Sequence, residues 1–198
     1  MRPTDILTSE HRVIEQVLDC LDKIASQGGD RFDVQSARQA VDFLRHFADQ
    51  CHHGKEEDHL FPLLETRGLP HYSGPTAVMR QEHEQGRRHL AAMAAVIERA
   101  GTGIDERETF KAHANAYTRL LRDHIRKEED CLFTMTANLL DEEDCHALLR
   151  AFQDFEHHDM GESTHQMYID LAHQLADRHG VGRSVVPGSC CCTGHAAG

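Results

Sequence analysis

The sequence has no tryptophan, only five prolines, and no apolar run near the roughly 18 residues that a membrane-spanning helix needs. Its first residues, MRPTDILTSE, lack the pattern of a secretory signal peptide. No basic patch stands out, and a net charge of −12 disfavours binding to nucleic acid. Alternating segments rich in valine and isoleucine are also scarce, which disfavours β-structure. These absences predict a helical cytoplasmic protein without membrane or nucleic-acid partners.

The seven cysteines do not resemble a disulfide framework. Four are isolated in segments with a helical pattern, and three are consecutive near the end: Cys20, Cys51, Cys131, Cys145 and Cys190–Cys192. Small disulfide-rich domains belong to oxidising compartments and space their cysteines differently. The cysteines therefore agree with a cytoplasmic location.

Helix boundaries follow from proline, glycine and capping residues. We predict four long helices and two shorter ones: Pro3 to Gly28, Asp33 to Thr66, Thr76 to Ala100, Asp105 to Leu140, Asp141 to His157 and Ser163 to His179. Long helices joined by short loops favour an all-α fold, an up-down-up-down four-helix bundle with one or two additional C-terminal helices. We expect the bundle in residues 1–140, a helical extension packed on it in 141–180, and a flexible cysteine-containing tail in 181–198.

Histidine is in excess, at 17 of 198 residues, and much of it falls in an internal repeat with an offset of 72 positions. Glu10-His11 recurs as Glu82-His83. The segment HHGKEEDHLF, which starts at residue 52, recurs as HIRKEEDCLF, which starts at residue 124. Histidine is the commonest metal ligand among side chains, so a repeated pattern of this kind makes a metal site the first hypothesis.

The spacing inside each repeat brings two metal-binding side chains to one helix face. Residues at i and i+4 differ by about 40° around an α-helix and by about 6 Å along it. Two matched hairpins would therefore offer four imidazoles and two carboxylates in the bundle interior: His11, His52, Glu56, His83, His124 and Glu128. This is a donor set for two metal ions. Nitrogen donors with bridging carboxylates suit iron or manganese, and imidazole also suits zinc and copper.

Several alternatives remain open at this stage. A shift of one residue would replace His52 and Glu56 by His53 and Glu57, although only the former pair aligns with the second repeat. Tyr117 lies seven residues before His124 on the same face, where it is a packing residue, a hydrogen-bond donor near the site or a ligand. A ferritin-like protein uses Glu-x-x-His motifs, which occur here but not in the repeat. A structural zinc bundle would prefer four ligands to six.

The order His, His-x-x-x-Glu, His, His-x-x-x-Glu on four helices resembles the hemerythrin-like (HHE cation-binding) family over roughly residues 1–140. The resemblance implies a non-haem centre of two iron ions with oxo or hydroxo and carboxylate bridges. It implies that the six residues of the repeat are its ligands. It also implies reactivity toward a small molecule: O2, hydrogen peroxide or NO.

The sequence departs from the oxygen-carrying hemerythrins at two positions. Arg87 stands where the carriers have a second histidine on the third helix, and Glu128 fits a four-residue spacing where they have an aspartate five residues after a histidine. Two octahedral ions offer about twelve positions, and four imidazoles, two bridging carboxylates and one bridging oxygen leave about two of them open. We therefore expect catalase-like reaction with peroxide, or reaction with NO, rather than O2 storage. The alternative is a sensor or storage module for iron or O2 without turnover, and the sequence leaves the oligomeric state open.

Overall fold

Helices form the regular secondary structure that a computed structural model shows in residues 1–27, 32–99, 104–157 and 164–184. The first four are α1 (Pro3–Ser26), α2 (residues 34–66), α3 (Pro75–Glu98) and α4 (residues 104–139). Two shorter helices follow, α5 (Glu142–Phe155) and α6 (Thr164–His179). The predicted all-α class is confirmed.

The helices begin where the sequence supplies a capping group or a proline. The side chain of Asp33 accepts a hydrogen bond from the Ser36 amide at 3.0 Å, and that of Asp141 accepts one from the Asp144 amide at 2.8 Å. Each contact satisfies an amide that has no partner within the helix. Pro3 and Pro75 start α1 and α3, where the missing amide proton of proline costs nothing.

Two of the long helices contain π-helical turns, which the sequence reasoning did not anticipate. In α2 they span Leu44–His53 and Glu56–Leu60, and in α4 they span Glu128–Leu132. A π-turn uses i→i+5 hydrogen bonds and so holds more residues per turn than an α-helix. Such turns are frequent at functional sites, and here they overlap or adjoin the His-x-x-x-Glu segments.

The four long helices form a closed ring in which each contacts the next and α4 returns to α1. The interior has two apolar clusters, one around Ile14, Phe47 and Phe110 and one around Leu7, Phe61 and Leu132. His11 lies between Leu7 and Ile14 in the chain, so the polar centre separates the two clusters. The structure confirms a four-helix bundle with two additional C-terminal helices.

The C-terminal helices pack on one side of the bundle. Helix α6 lies against α1 and α2, and α5 lies against α1 and the last turns of α2. The first residues of the expected tail also have contacts: Val181 packs on the core, and the Ser184 amide donates to the Gln16 side chain at 2.5 Å. Residues 185–198, with Cys190–Cys192, lie outside the described residues. Within the described ranges, no helix is both long enough and apolar enough to cross a membrane.

Candidate metal centre

The six side chains predicted as metal ligands converge in the bundle interior, and each is at most 1% exposed. Helix α1 contributes one, α2 two, α3 one and α4 two: His11, His52, Glu56, His83, His124 and Glu128. The Nε2 atoms of His11 and His52 are 3.0 Å apart. Those of His83 and His124 are also 3.0 Å apart, so the two halves present equivalent pairs of nitrogen donors.

Each of the two glutamates faces one histidine from each pair. The oxygens of Glu128 lie 3.2 Å from His11 Nε2 and 3.2 Å from His124 Nε2. Those of Glu56 lie 3.7 Å from His52 Nε2 and 3.4 Å from His83 Nε2. A carboxylate in this position can bind two metal ions at once, one through each oxygen.

The donor atoms fall into two groups, and the atoms of each group lie within 4.8 Å of one another. The first group contains His11, His52, Glu56 and Glu128, and the second contains His53, Glu56, His83 and His124. Glu56 belongs to both. Two adjacent groups that share a carboxylate suit two neighbouring ions better than one.

Unsatisfied polar atoms at this centre fit bound cations. All four carboxylate oxygens of Glu56 and Glu128 are buried and accept no hydrogen bond, and Nε2 of His53 has no hydrogen-bond partner. A buried polar group without a partner costs about 1–3 kcal/mol, and a charged group costs more. Burial, together with the charge of Glu128, raises the pKa of Glu56 well above its ordinary value. A cation between the carboxylates would satisfy these atoms and remove the repulsion.

A carboxylate holds the outward nitrogen of each of the four repeated histidines. The Nδ1 contacts are His11 to Glu129 at 2.9 Å, His52 to Glu10 at 2.9 Å, His83 to Glu57 at 2.6 Å and His124 to Glu82 at 3.0 Å. An imidazole that donates its Nδ1 proton to a carboxylate keeps the Nε2 lone pair for a metal. The spacing of the repeat does not reveal this role of Glu57 and Glu129.

His53 belongs to the second donor group, whereas the sequence pattern suggests it only as part of a shifted register. It is 3% exposed, and its ring stacks on that of His83 with centroids 3.7 Å apart. Its Nδ1 lies 3.3 Å from an oxygen of Asp49, and burial lowers its pKa, which favours the neutral ring that binds metal. The only signals in the sequence were its position beside His52 and the aspartate four residues earlier. Its equivalent in the second half is Ile125.

Arg87, the residue that replaces a carrier histidine, binds the acids of the centre. Its guanidinium donates to Asp49 at 2.8 Å and to Glu57 at 2.9 Å. These carboxylates contact Nδ1 of His53 and His83. Arg87 therefore fixes two of the three carboxylates that contact histidines of the second donor group.

Tyr117 lies on α4 in the core and is 1% exposed. Its hydroxyl is buried without a hydrogen-bond partner, and burial raises its pKa. A Cβ atom on Gly86 would lie 3.3 Å from the Tyr117 ring, so the glycine gives the ring its place between α3 and α4. Tyr117 is thus buried, and its role beside the site as a packing residue, a hydrogen-bond donor or a ligand stays a prediction.

A third group of possible metal ligands consists of Glu10, Glu156 and His165. A lysine of the protein itself already binds the two carboxylates of this group. The ammonium group of Lys55 binds both Glu10 and Glu156, and the lysine side chain is fully buried. His165 Nε2 lies 3.3 Å from Glu10. These contacts make the group an ion-pair network that joins α1, α2 and the C-terminal helices.

Comparison with known proteins agrees with this geometry. A family model of the hemerythrin HHE cation binding domain matches residues 2–136. The chain is 25% identical over 187 residues to uncharacterized proteins of Mycobacterium bovis and Mycobacterium tuberculosis, an alignment that covers 90% of this chain and 70% of each relative. No solved structure matches the chain significantly. The matched residues include every helix that lines the centre, and the chain belongs to the hemerythrin HHE cation-binding domain family.

Proposed function

We propose that this protein holds two iron ions and reacts with hydrogen peroxide in a catalase-like manner. The observation that carries the proposal is the pair of buried donor groups that share Glu56. The ligands would be the six predicted residues together with His53. The donors are nitrogen and oxygen, a set that suits iron, and membership of a cation-binding family supports metal binding.

The surrounding residues prepare the centre for redox chemistry. The carboxylates on each Nδ1 hold the imidazoles in one tautomer and strengthen them as donors. The rings of Phe133 and Phe61 lie over His11 and His83, with centroids 5.7 Å and 5.9 Å apart, and exclude water from one end. Two adjacent iron ions would supply electron transfer and polarisation of a bound oxygen species.

The donor count favours reaction at one end of the centre. The first donor group has two imidazoles, whereas the second has three, and the same carboxylates face both groups. If each ion takes about six ligands, more positions remain at the group that contains His11 and His52. We expect peroxide to react there.

Metal analysis and two gas measurements test the proposal. The purified chain should contain iron at two ions per chain and release O2 when peroxide is added to the oxidised protein. His52→Ala should bind fewer than two iron ions per chain and lose O2 release. His146→Ala, which changes an exposed histidine on α5, should keep both the iron and the O2 release. A long-lived form that binds O2 and reverses on degassing, without peroxide turnover, would overturn the proposal.

Reversible O2 binding, as in a sensor or a store, is the second candidate function. His53 favours it, because a fifth imidazole makes the donor set unequal and closer to the histidine-rich set of an oxygen carrier. Exposure of the reduced protein to O2, followed by its optical spectrum, distinguishes reversible O2 binding from peroxide breakdown. A stable and reversible spectrum indicates a binding module, and rapid oxidation agrees with peroxide chemistry.

A further inference from the structure

Another pair of histidines, His89 on α3 and His113 on α4, meets outside the centre where these two helices pack together. The Nδ1 atoms of His89 and His113 are 3.0 Å apart, whereas the ring centroids are 5.3 Å apart. The rings therefore approach each other through their nitrogen edges. Both side chains are partly exposed, so a solvated ion can reach them.

The distance between these nitrogens suits two ligands of one metal ion. Metal–nitrogen bonds of about 2.1 Å at a right angle separate the two nitrogens by about 3.0 Å, and a tetrahedral angle separates them by about 3.4 Å. Right angles are typical of the tetragonal Cu²⁺ and octahedral Ni²⁺ geometries. The same 3.0 Å separates the histidine pairs of the main centre.

The equivalent positions in the first half are apolar, so the internal repeat does not account for these two histidines. The 72-residue offset relates His89 to Val17 and His113 to Val41, both buried in the apolar core. Helix α6 packs on α1 and α2, the helices that carry these valines. Where α3 and α4 pack together, two imidazoles take the place of the two valines.

We propose that His89 and His113 form a separate metal site for one divalent transition-metal ion, with Cu²⁺ or Ni²⁺ as the best fit. Water molecules complete the coordination sphere, so the ion exchanges more readily than one in the buried centre. Burial and the neighbouring His113 lower the pKa of His89, and the neutral ring is the form that binds metal. Without metal, one Nδ1 donates a hydrogen bond to the other.

Copper titration of the iron-loaded full chain tests this site. Accessible thiols are alkylated first, so that Cys190–Cys192 do not bind or reduce the copper. Calorimetry gives the Kd, and electron paramagnetic resonance counts the nitrogens bound to Cu²⁺. We expect one Cu²⁺ ion with two nitrogen ligands in the wild type.

Three variants decide the outcome. His89→Gln and His113→Gln should each raise the Kd of this ion by about tenfold or more and remove one nitrogen from the spectrum. His146→Gln should leave both unchanged. The proposal is overturned if the wild type binds no Cu²⁺ ion with two nitrogens, or if both His89→Gln and His113→Gln keep the wild-type Kd. Circular dichroism checks that the variants remain folded.

Discussion

The two halves of the bundle share the same inner contacts and differ in what surrounds them. Every ligand and Nδ1 acceptor of the repeat has an equivalent 72 positions away: the His11 contact with Glu129 matches that of His83 with Glu57. The phenylalanines that stack on His11 and His83 match as well. The symmetry is therefore strongest among the six proposed ligands and the carboxylates that contact their Nδ1 atoms.

The differences arise where the C-terminal helices pack mainly on the first half. Lys55 is fully buried under Glu156, whereas its equivalent Lys127 has a side chain that is 41% exposed. The C-terminal segment packs tightly on α2 here. A Cβ atom on Gly54 would lie only 2.6 Å from the Phe155 ring. His53 adds an imidazole that the second half lacks. A repeated ligand pattern thus produces two unequal environments.

Loss of a ligand in either half should have the largest effect. His52→Ala and His124→Ala each remove one imidazole from a symmetric pair, and we expect bound iron to fall below two ions per chain in both variants. Because the ligands tie four helices together, metal loss should also lower the melting temperature. Elemental analysis and calorimetry provide the measurements, and full metal loading in both variants would contradict the ligand assignment.

Replacement of each of the two equivalent lysines should destabilise the protein to a different degree in the covered first half and in the open second half. Lys55→Met leaves Glu10 buried without its ammonium partner, and we expect a loss of about 3–5 kcal/mol in the free energy of unfolding. Lys127→Met breaks an ion pair with an exposed lysine, and we expect a loss below about 1 kcal/mol. Urea denaturation of the metal-free protein measures both values. Equal losses would show that the C-terminal cover does not matter.

A change of His53 to its second-half equivalent should make the two donor groups more alike. In His53→Ile, the second group loses one imidazole, and we expect binding of one of the two ions to weaken by about tenfold or more while the other ion stays. Competition with a chelator measures the two affinities separately. Ile125→Val serves as the control at the equivalent position, and unchanged affinities in His53→Ile would exclude His53 as a ligand.

The smallest predicted effect is the pH dependence of the stabilisation that Glu65 gives to the folded state. Burial alone would raise the pKa of Glu65, but hydrogen bonds from Arg80, His71 and Thr76 outweigh it and lower the pKa to about 2. A lowered pKa stabilises the folded state above pH 4.5, and this contribution is lost as the pH falls from there toward 2.

Glu65→Gln should therefore cost about 1 kcal/mol at pH 7 and less at pH 3, since these contacts are near the surface. The equivalent residue in the second half is Ala137, so no matching change is expected there. Unfolding curves at the two pH values measure the effect. An equal loss at both values would contradict the assignment to this carboxylate.

Most of the fold could be predicted because its boundaries have local causes. Asp33 and Asp141 cap helices as expected, and Pro3 begins α1 as the sequence indicates. The predicted helix ends agree with the structure to within one or two residues over the described ranges. Glycine and proline make these ends predictable, because both residues interrupt helices. The π-turns were not predictable, because an i→i+5 pattern leaves no separate signal in the order of apolar residues.

The candidate site was predictable only as far as the repeat extends. His11 and His83 could be matched by their offset, and the structure brings them to the same place. The position equivalent to His53 in the second half is not a histidine, so the repeat gave no support for His53 as a ligand. In a regular α-helix, His53 would also point about 100° away from His52. The acids at Nδ1 were missed because a pattern of charges on a helix does not distinguish a solvated carboxylate from one that contacts an imidazole.

The shared carboxylates also set the order in which the protein can be assembled. The first donor group needs His11 and Glu128, which are separated by more than half of the chain, and the second needs His124. During synthesis, neither group is complete until α4 has left the ribosome and closed against α1. If these groups bind the metal ions as proposed, metal insertion would follow the folding of all four long helices, and a chain truncated before residue 124 would hold only incomplete donor groups.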